Sequence, residues 1–150
     1  MTFKHILYAS DFSKASGPAF KLAQDLAKAF KSELILFHAY QAVSPMMAEA
    51  PMPPAVFQDM LVTTRKHARR QLERLAKSAA RRRVRTSILS VEGPPAPAIV
   101  RAARQKRAAL IVQRFTDLSV LLGDPAPLTR APGKRAPASS AGRVVSSEGV

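Results

Sequence analysis

The chain has 150 residues, of which 47% are hydrophobic, and this length and composition fit one globular domain better than two small ones. Its 24 Lys and Arg residues against 10 Asp and Glu residues give a formal net charge of +14, which favours polyanionic partners without naming one. The absence of cysteine excludes disulfide frameworks, thiolate nucleophiles and Cys-containing metal centres. The chain has no apolar run long enough for a secretory signal or a membrane span, so we expect a cytoplasmic protein that does not bind membranes.

The N-terminal part of the chain predicts a buried strand and then an amphipathic helix. The segment His5–Ala9 is a short apolar run followed by polar residues, which is typical of a buried strand. Ser13 or Ser16 is placed to cap the first turn of the helix, and Pro18 lies early, where its missing amide hydrogen costs little. Apolar residues then recur every three or four positions, at Ala19, Leu22, Ala23, Leu26, Ala27 and Phe30.

A second strand and a long second helix follow. The segment Glu33–Tyr40 contains another apolar run of strand length. Prolines concentrated in residues 45–54 predict a surface loop, because proline interrupts regular elements. A helix is predicted from near Val56, and its inward positions have helical spacing: Phe57, Leu61, Thr64, Ala68, Leu72, Leu75 and Ala79.

Two more strands complete an alternating pattern. Residues 84–91 predict a third strand, Ile99, Ala102 and Ala103 mark one face of a third helix, and residues 108–112 predict a fourth strand. This alternation predicts an α/β fold, a doubly wound parallel sheet with right-handed crossovers and helices on both faces. Ligands of such sheets bind beyond the carboxyl ends of the strands, where the strand order reverses.

The last part of the chain departs from this pattern. Residues 123–150 hold four of the 6 glycines and four of the 12 prolines, without apolar periodicity. We therefore predict a core over residues 1–113 and a divergent, largely irregular segment over residues 114–150. Within that segment, Arg143-Val144-Val145 is the only hint of a further strand. The abrupt change in composition also raises the hypothesis of a shifted reading frame.

Four stretches, which together span roughly the first three-quarters of the chain, match a known pattern: Ile6 to Ser13 with Ala15 to Ala19, Leu34 to Ala39, Val91 to Pro95, and Ala109 to Val112. In this order they resemble the universal stress protein family, the UspA-like domains. The resemblance implies a five-stranded doubly wound domain, which commonly pairs as a homodimer through its last strand. It also implies a family in which some members bind ATP and others do not.

The resemblance also implies where a nucleotide would bind. In ATP-binding members an Asp after the first strand helps to hold the adenosine, and a glycine-rich stretch after the fourth strand wraps the phosphates, because glycine lets backbone amides approach them closely. On this basis the candidate cofactor-binding residues are Asp11, Val91, Arg114 and Gly123.

The phosphate-binding half of that pattern is altered. Arg114 and Asp117 stand where the first two glycines belong, and Pro127 lies near the third. A shorter alignment matches Gly123, but Asp124 then replaces the hydroxyl residue and repels phosphate. We therefore expect ATP binding to be absent or weakened. The alternative is an ATP-binding protein in which Arg114 supplies charge in place of glycine amides.

Other functional interpretations have less support in the sequence. His5, His38 and His67 have no metal-ligand spacing, so we expect no metal site, and no serine lies in a nucleophile context. The basic residues between Arg65 and Arg85 form a strip on the second helix, yet few aromatic residues accompany them. We therefore do not expect sequence-specific nucleic-acid binding, which remains the third alternative. The sequence predicts a non-enzymatic, stress-response binding or regulatory domain with unidentified protein partners.

Overall fold

The computed structural model describes residues 3–42, 51–114 and 142–146. The strands in these ranges form one sheet in the order β3-β2-β1-β4-β5, in which β1 to β4 are parallel. The predicted α/β architecture is confirmed. The elements are β1 (His5–Ala9), a 3₁₀ turn (Lys14–Ser16), α1 (Gly17–Phe30), β2 (Glu33–Tyr40), α2 (Pro54–Arg81), β3 (Thr86–Glu92), α3 (Pro95–Gln105), β4 (Leu110–Arg114) and β5 (Gly142–Ser146).

The sheet carries an apolar core on each of its faces. Alternate residues of β1 explain this, because Ile6 and Tyr8 point to one face and Leu7 to the other. Helices α1 and α2 cover the first face, and α3 covers the second. The central strands are therefore buried on both sides, which is why β1 and β2 are continuous apolar runs with the predicted boundaries.

The strands β3 and β4 begin two residues later than predicted, at Thr86 and Leu110. The reason is the way in which the preceding helices end. After each of α1, α2 and α3, one basic residue adopts a positive φ, namely Lys31, Arg83 and Arg107. The next amide then bonds back to the helix, from Ser32 to the Ala27 carbonyl, from Val84 to that of Ala79 and from Ala108 to that of Ala103. Val84 and Ala108 are therefore buried parts of helix ends.

Helix α2 is long, and only part of it is deeply buried. It begins at Pro54 rather than near Val56, since proline suits the first turn of a helix. Its predicted inward positions all lie on the shielded face, but only Ala68, Leu72 and Ala79 are buried and the others are half-buried. Of the helices that the structure describes, none is long and apolar enough to cross a membrane.

Strand β5 lies at the edge of the sheet and runs antiparallel to β4. Gly142 pairs with Arg114, and Val144 pairs with Val112. The hint of a strand at residues 143–145 is thus confirmed. The resemblance implied a doubly wound sheet of five strands, but the fifth strand in the structure is antiparallel to its neighbour. The parts of the predicted irregular regions at 45–50, 115–141 and 147–150 lie outside the described residues, and the boundary at residue 113 stays a prediction.

Candidate functional site

The candidate site lies at the carboxyl ends of β1 and β4. These adjacent strands mark the point where the strand order reverses, because the chain proceeds from β1 towards β3 on one side and continues through β4 on the other. Asp11 follows β1, and Arg114 is the last residue of β4. Two of the four candidate cofactor-binding residues are thus brought together where ligands of doubly wound sheets bind.

The Asp11 carboxylate is held by the turn that follows it. Its Oδ1 accepts hydrogen bonds from the Ser13 backbone amide at 2.9 Å and from Ser13 Oγ at 2.6 Å, and a third from Ser16 Oγ. Ser13 Oγ and Ser16 Oγ are 3.1 Å apart. The side chain is still 51% exposed to solvent.

These contacts determine the acidity of Asp11. Partial burial alone would raise the pKa of its carboxyl group, but the hydrogen bonds from Ser13 and Ser16, helped by the positive charge of Arg114, lower the pKa below its ordinary value. Asp11 is therefore a carboxylate at neutral pH. It can accept a hydrogen bond from a ligand, but it is poorly suited to donate a proton.

Arg114 faces the same carboxylate from β4. Its Nη1 lies 3.6 Å from Asp11 Oδ2 and 3.3 Å from Ser13 Oγ. The guanidinium group is half-buried and the carboxylate is half-exposed, so solvent screens much of the attraction in this ion pair. The remaining donors of this group could bind an anion next to Asp11.

The serines do not serve as the predicted helix caps. Ser16 precedes α1, but neither Ser13 nor Ser16 accepts a backbone hydrogen bond as a side-chain cap, so this prediction was wrong. Their hydroxyl groups instead donate to Asp11, and hydrogen bonds to a charged carboxylate are stronger than those between neutral groups. The buried Tyr8 hydroxyl donates to the Ser16 carbonyl at 3.2 Å and fixes this turn to the core.

Two aromatic rings, tilted by 33° to each other, lie next to Asp11. Phe12 has a φ of 61°, which directs the chain away from β1 and places its ring 4.1 Å from the ring of His38 at the end of β2. His38 Nδ1 lies 2.7 Å from the Ser10 carbonyl. Burial lowers the pKa of His38 and outweighs the opposing effects of Ser10 and Asp11, and the charge of His67 lowers it further. His38 is therefore neutral at physiological pH.

Of the other two candidate residues, Val91 is not brought to Asp11. Val91 is a half-buried residue of β3 that pairs with Ala39 of β2, so β2 separates it from β1. Its side chain packs against the core on the α3 face of the sheet. Gly123 lies outside the described residues. The described ranges contain no group of three or more metal-ligating side chains, and the expectation of no metal site stays a prediction.

Sequence reasoning missed two parts of the site. The contact between Phe12 and His38 depends on a positive φ at a non-glycine residue, which no residue type signals reliably. The role of Ser13 and Ser16 could have been found, because Asp followed by Ser two residues later is a common side-chain turn. The prediction named Asp11 as a candidate cofactor-binding residue and did not name the two serines as its hydrogen-bond donors.

Comparison with known proteins supports the family resemblance. The model of the Universal stress protein family matches residues 2–123. A universal stress protein from Burkholderia pseudomallei is 25% identical, with a TM-score of 0.57, and the alignment covers 80% of this chain and 88% of that one. The UspA protein of Lactobacillus plantarum is 22% identical, with a TM-score of 0.63 and coverages of 79% and 82%.

A plant structure of the same fold was solved with a nucleotide. A universal stress protein family protein from Arabidopsis thaliana with AMP bound is 14% identical, with a TM-score of 0.59, and the alignment covers 86% of this chain and 97% of that one. A separate comparison with curated proteins finds no match. Likeness at these identities establishes the fold that the chain shares with these proteins.

Proposed function

Because this chain belongs to the universal stress protein family, we propose that it is a non-enzymatic binding domain of the stress response with weak affinity for adenine nucleotides. The Asp11 carboxylate carries the proposal. Its Oδ1 already accepts three hydrogen bonds, and its Oδ2 faces Arg114. A ligand hydroxyl would have to compete with contacts that the folded chain makes itself, and the loss of those contacts would reduce the net free energy of binding.

The phosphate side of the site supports the same proposal. Arg114 carries a long side chain where the resemblance implies a glycine, so the backbone amides there are less accessible to phosphate. One guanidinium group can neutralise part of a single phosphate, whereas a triphosphate brings several charges close to Asp11. The AMP bound to the Arabidopsis protein makes the monophosphate the natural ligand to test. We expect AMP to bind at least as well as ATP.

The hydrogen bonds of the site give no support to catalysis. A serine nucleophile needs an adjacent base to accept its proton. Among the described residues, the Ser13 and Ser16 hydroxyls contact Asp11, whose lowered pKa makes it a weak base, while the His38 ring contacts a backbone carbonyl. We therefore propose that the domain acts by binding protein partners, with any nucleotide serving as a ligand and not as a substrate.

Calorimetric titration with AMP, and separately with ATP and magnesium, tests the nucleotide part of the proposal. We expect dissociation constants above about 100 µM, a free energy of binding weaker than roughly −5.5 kcal/mol. Asp11→Ala should abolish the remaining heat signal. The matched control is Asp25→Ala, which removes an exposed carboxylate paired with Arg82 near the opposite ends of α1 and α2 and should leave binding unchanged.

Two outcomes would contradict the proposal. Binding of ATP with magnesium at low micromolar concentrations, lost in Asp11→Ala but kept in Asp25→Ala, would instead support the ATP-binding alternative with a rearranged phosphate loop. Phosphate release from ATP that depends on Asp11 would show that the domain is an enzyme. A phosphate-release assay run on the same protein samples distinguishes this second outcome from simple binding.

A further inference from the structure

Helix α2 carries a continuous line of exposed cations, which we call the basic strip: Lys66, Arg70, Arg74, Lys77 and Arg81. Its members are separated by three or four residues, so they succeed one another about once per helical turn. At 1.5 Å per residue the strip is about 22 Å long. It lies roughly opposite the buried residues Ala68, Leu72 and Ala79, since a helix turns by about 100° per residue.

The strip is not neutralised by the surface that the structure describes. The ion pairs made near it are Arg69 with Glu73, at 3.1 Å, and Arg82 with Asp25. None of the five strip residues has an ion-pair partner among residues 3–42, 51–114 and 142–146. Like charges four residues apart on a helix repel by a few tenths of a kcal/mol per pair, so this arrangement weakens the helix. Glu73 is three residues from Arg70 and four from Lys77 and so shares this helix face, but its carboxylate pairs with Arg69.

The chemistry of the strip selects among polyanions. A membrane-surface helix needs an apolar face to insert into lipid, but the apolar face of α2 packs against the sheet in the core. Proteins that bind single strands stack bases on aromatic side chains, and the strip contains only Lys and Arg. A nucleic-acid duplex has closely spaced phosphates on its outer surface, and Lys and Arg side chains alone can bind them.

We propose that the basic strip binds the phosphate backbone of duplex nucleic acid without sequence specificity. Contacts to phosphate carry no base information, which agrees with the lack of side chains on the strip that are suited to reading bases. The site is separate from Asp11 and does not depend on nucleotide binding. Because five cations replace condensed counterions, the affinity should fall steeply as salt increases.

Fluorescence anisotropy with a labelled duplex, between about 50 and 200 mM salt, tests this proposal. A plot of the logarithm of the association constant against the logarithm of the salt concentration should be a straight line. For five phosphate contacts its slope should be about −4.5. The strip variant replaces three of these residues with glutamine: Lys66→Gln, Arg70→Gln and Arg74→Gln. Its slope should be shallower, about −2, and its binding should be at least about tenfold weaker. Circular dichroism of each variant confirms that it is folded.

The matched control removes the same charge from the other side of the sheet. Arg101, Lys106 and Arg107 are exposed residues of α3 and the turn that follows it, so their triple Gln variant has the same net charge as the strip variant. It should keep nearly full affinity. Equal losses in both variants would overturn the proposal, because net charge alone would then explain binding. Tighter binding to single strands or to anionic lipid vesicles than to duplex DNA and RNA would also overturn it.

Discussion

The Asp11 carboxylate and the Arg114 guanidinium group lie 3.6 Å apart across the boundary between β1 and β4. Their side chains are 51% and 33% exposed, so solvent and salt screen much of the attraction between them. The hydrogen bonds from Ser13 and Ser16 are short-range and depend far less on salt. The serine hydroxyl groups therefore contribute more than Arg114 to keeping the Asp11 carboxyl group ionised.

The first prediction concerns the pKa of Asp11. Ser16→Ala removes a donor to the carboxylate and should raise this pKa more than Arg114→Ala does, because the hydrogen bonds lower it more than the distant charge. Carboxyl-carbon NMR titration measures both values. High salt should erase the effect of Arg114→Ala and leave that of Ser16→Ala. A larger effect from Arg114→Ala would show that the ion pair dominates.

The second prediction concerns stability at mildly acidic pH. Burial holds the pKa of folded His38 below its ordinary value of 6.5, so the unfolded chain binds a proton more readily than the folded one. The stability contributed by neutral His38 is therefore full above about pH 6.5 and is lost as the pH falls towards the folded pKa. His38→Gln should flatten this part of the curve in denaturant titrations at several pH values.

His67 provides the control for that experiment. Its electrostatic interaction with His38 lowers the pKa of His38, so His67→Gln should raise that pKa without removing the burial of His38. NMR titration of the His38 ring should show this upward shift. An unchanged pH dependence of stability in His38→Gln would mean that other groups cause the loss.

Much of the fold followed from the sequence because apolar runs and helical spacing are direct consequences of burial. The bounds of β1 and β2 were predicted without error, since both strands are buried on two faces. The starts of β3 and β4 were not, because Val84 and Ala108 are as apolar as strand residues but belong to helix ends. Burial alone does not distinguish these two states.

The site was less accessible to sequence reasoning. Asp11 and Arg114 were found through the family resemblance, and the parallel topology explains why the ends of their strands meet. Neither the resemblance nor the topology predicts the direction in which each side chain points. Two features depend on backbone angles that several residue types can adopt: the ring contact between Phe12 and His38, and the turn around Asp11. The structure was therefore needed to find them.

The third prediction concerns the left-handed backbone conformation of Arg107, which follows α3. Arg107 has a φ of 51°, a conformation that costs roughly 1–2 kcal/mol for a residue other than glycine. Arg107→Gly should therefore raise the free energy of unfolding, by up to about 1 kcal/mol. Lys106→Gly, at a φ of −87°, should lower it instead. Urea titration compares the two variants, and equal effects would argue against strain at Arg107.

The fourth prediction compares two leucines on the same face of α2. Leu72 is 1% exposed within the core, whereas Leu61 is only half-buried. Leu72→Ala should lower the free energy of unfolding by about 2–5 kcal/mol through lost burial and the cavity it leaves. Leu61→Ala should cost less than half as much. Similar losses at both positions would mean that the first half of α2 is packed as tightly as the second.

The fifth prediction concerns the homodimer that the family resemblance implies. Strand β5 is the outermost strand of the described sheet, and an unpaired strand edge readily pairs with another chain. Successive residues of an antiparallel strand alternate in whether their amide groups face the neighbouring strand. Of Val144→Pro and Val145→Pro, one therefore removes a donor on the β4 side, and the other removes a donor on the open side.

The two proline variants should thus have different defects. We expect the unaltered protein to be a dimer in light scattering, the open-side variant to be a monomer that keeps its melting temperature, and the β4-side variant to melt at a lower temperature. The pairing of Val144 with Val112 and of Val145 with Ile111 sets the two positions to be compared. A dimer that survives both substitutions would show that another surface joins the two copies, and a monomeric unaltered protein would refute the implied dimer.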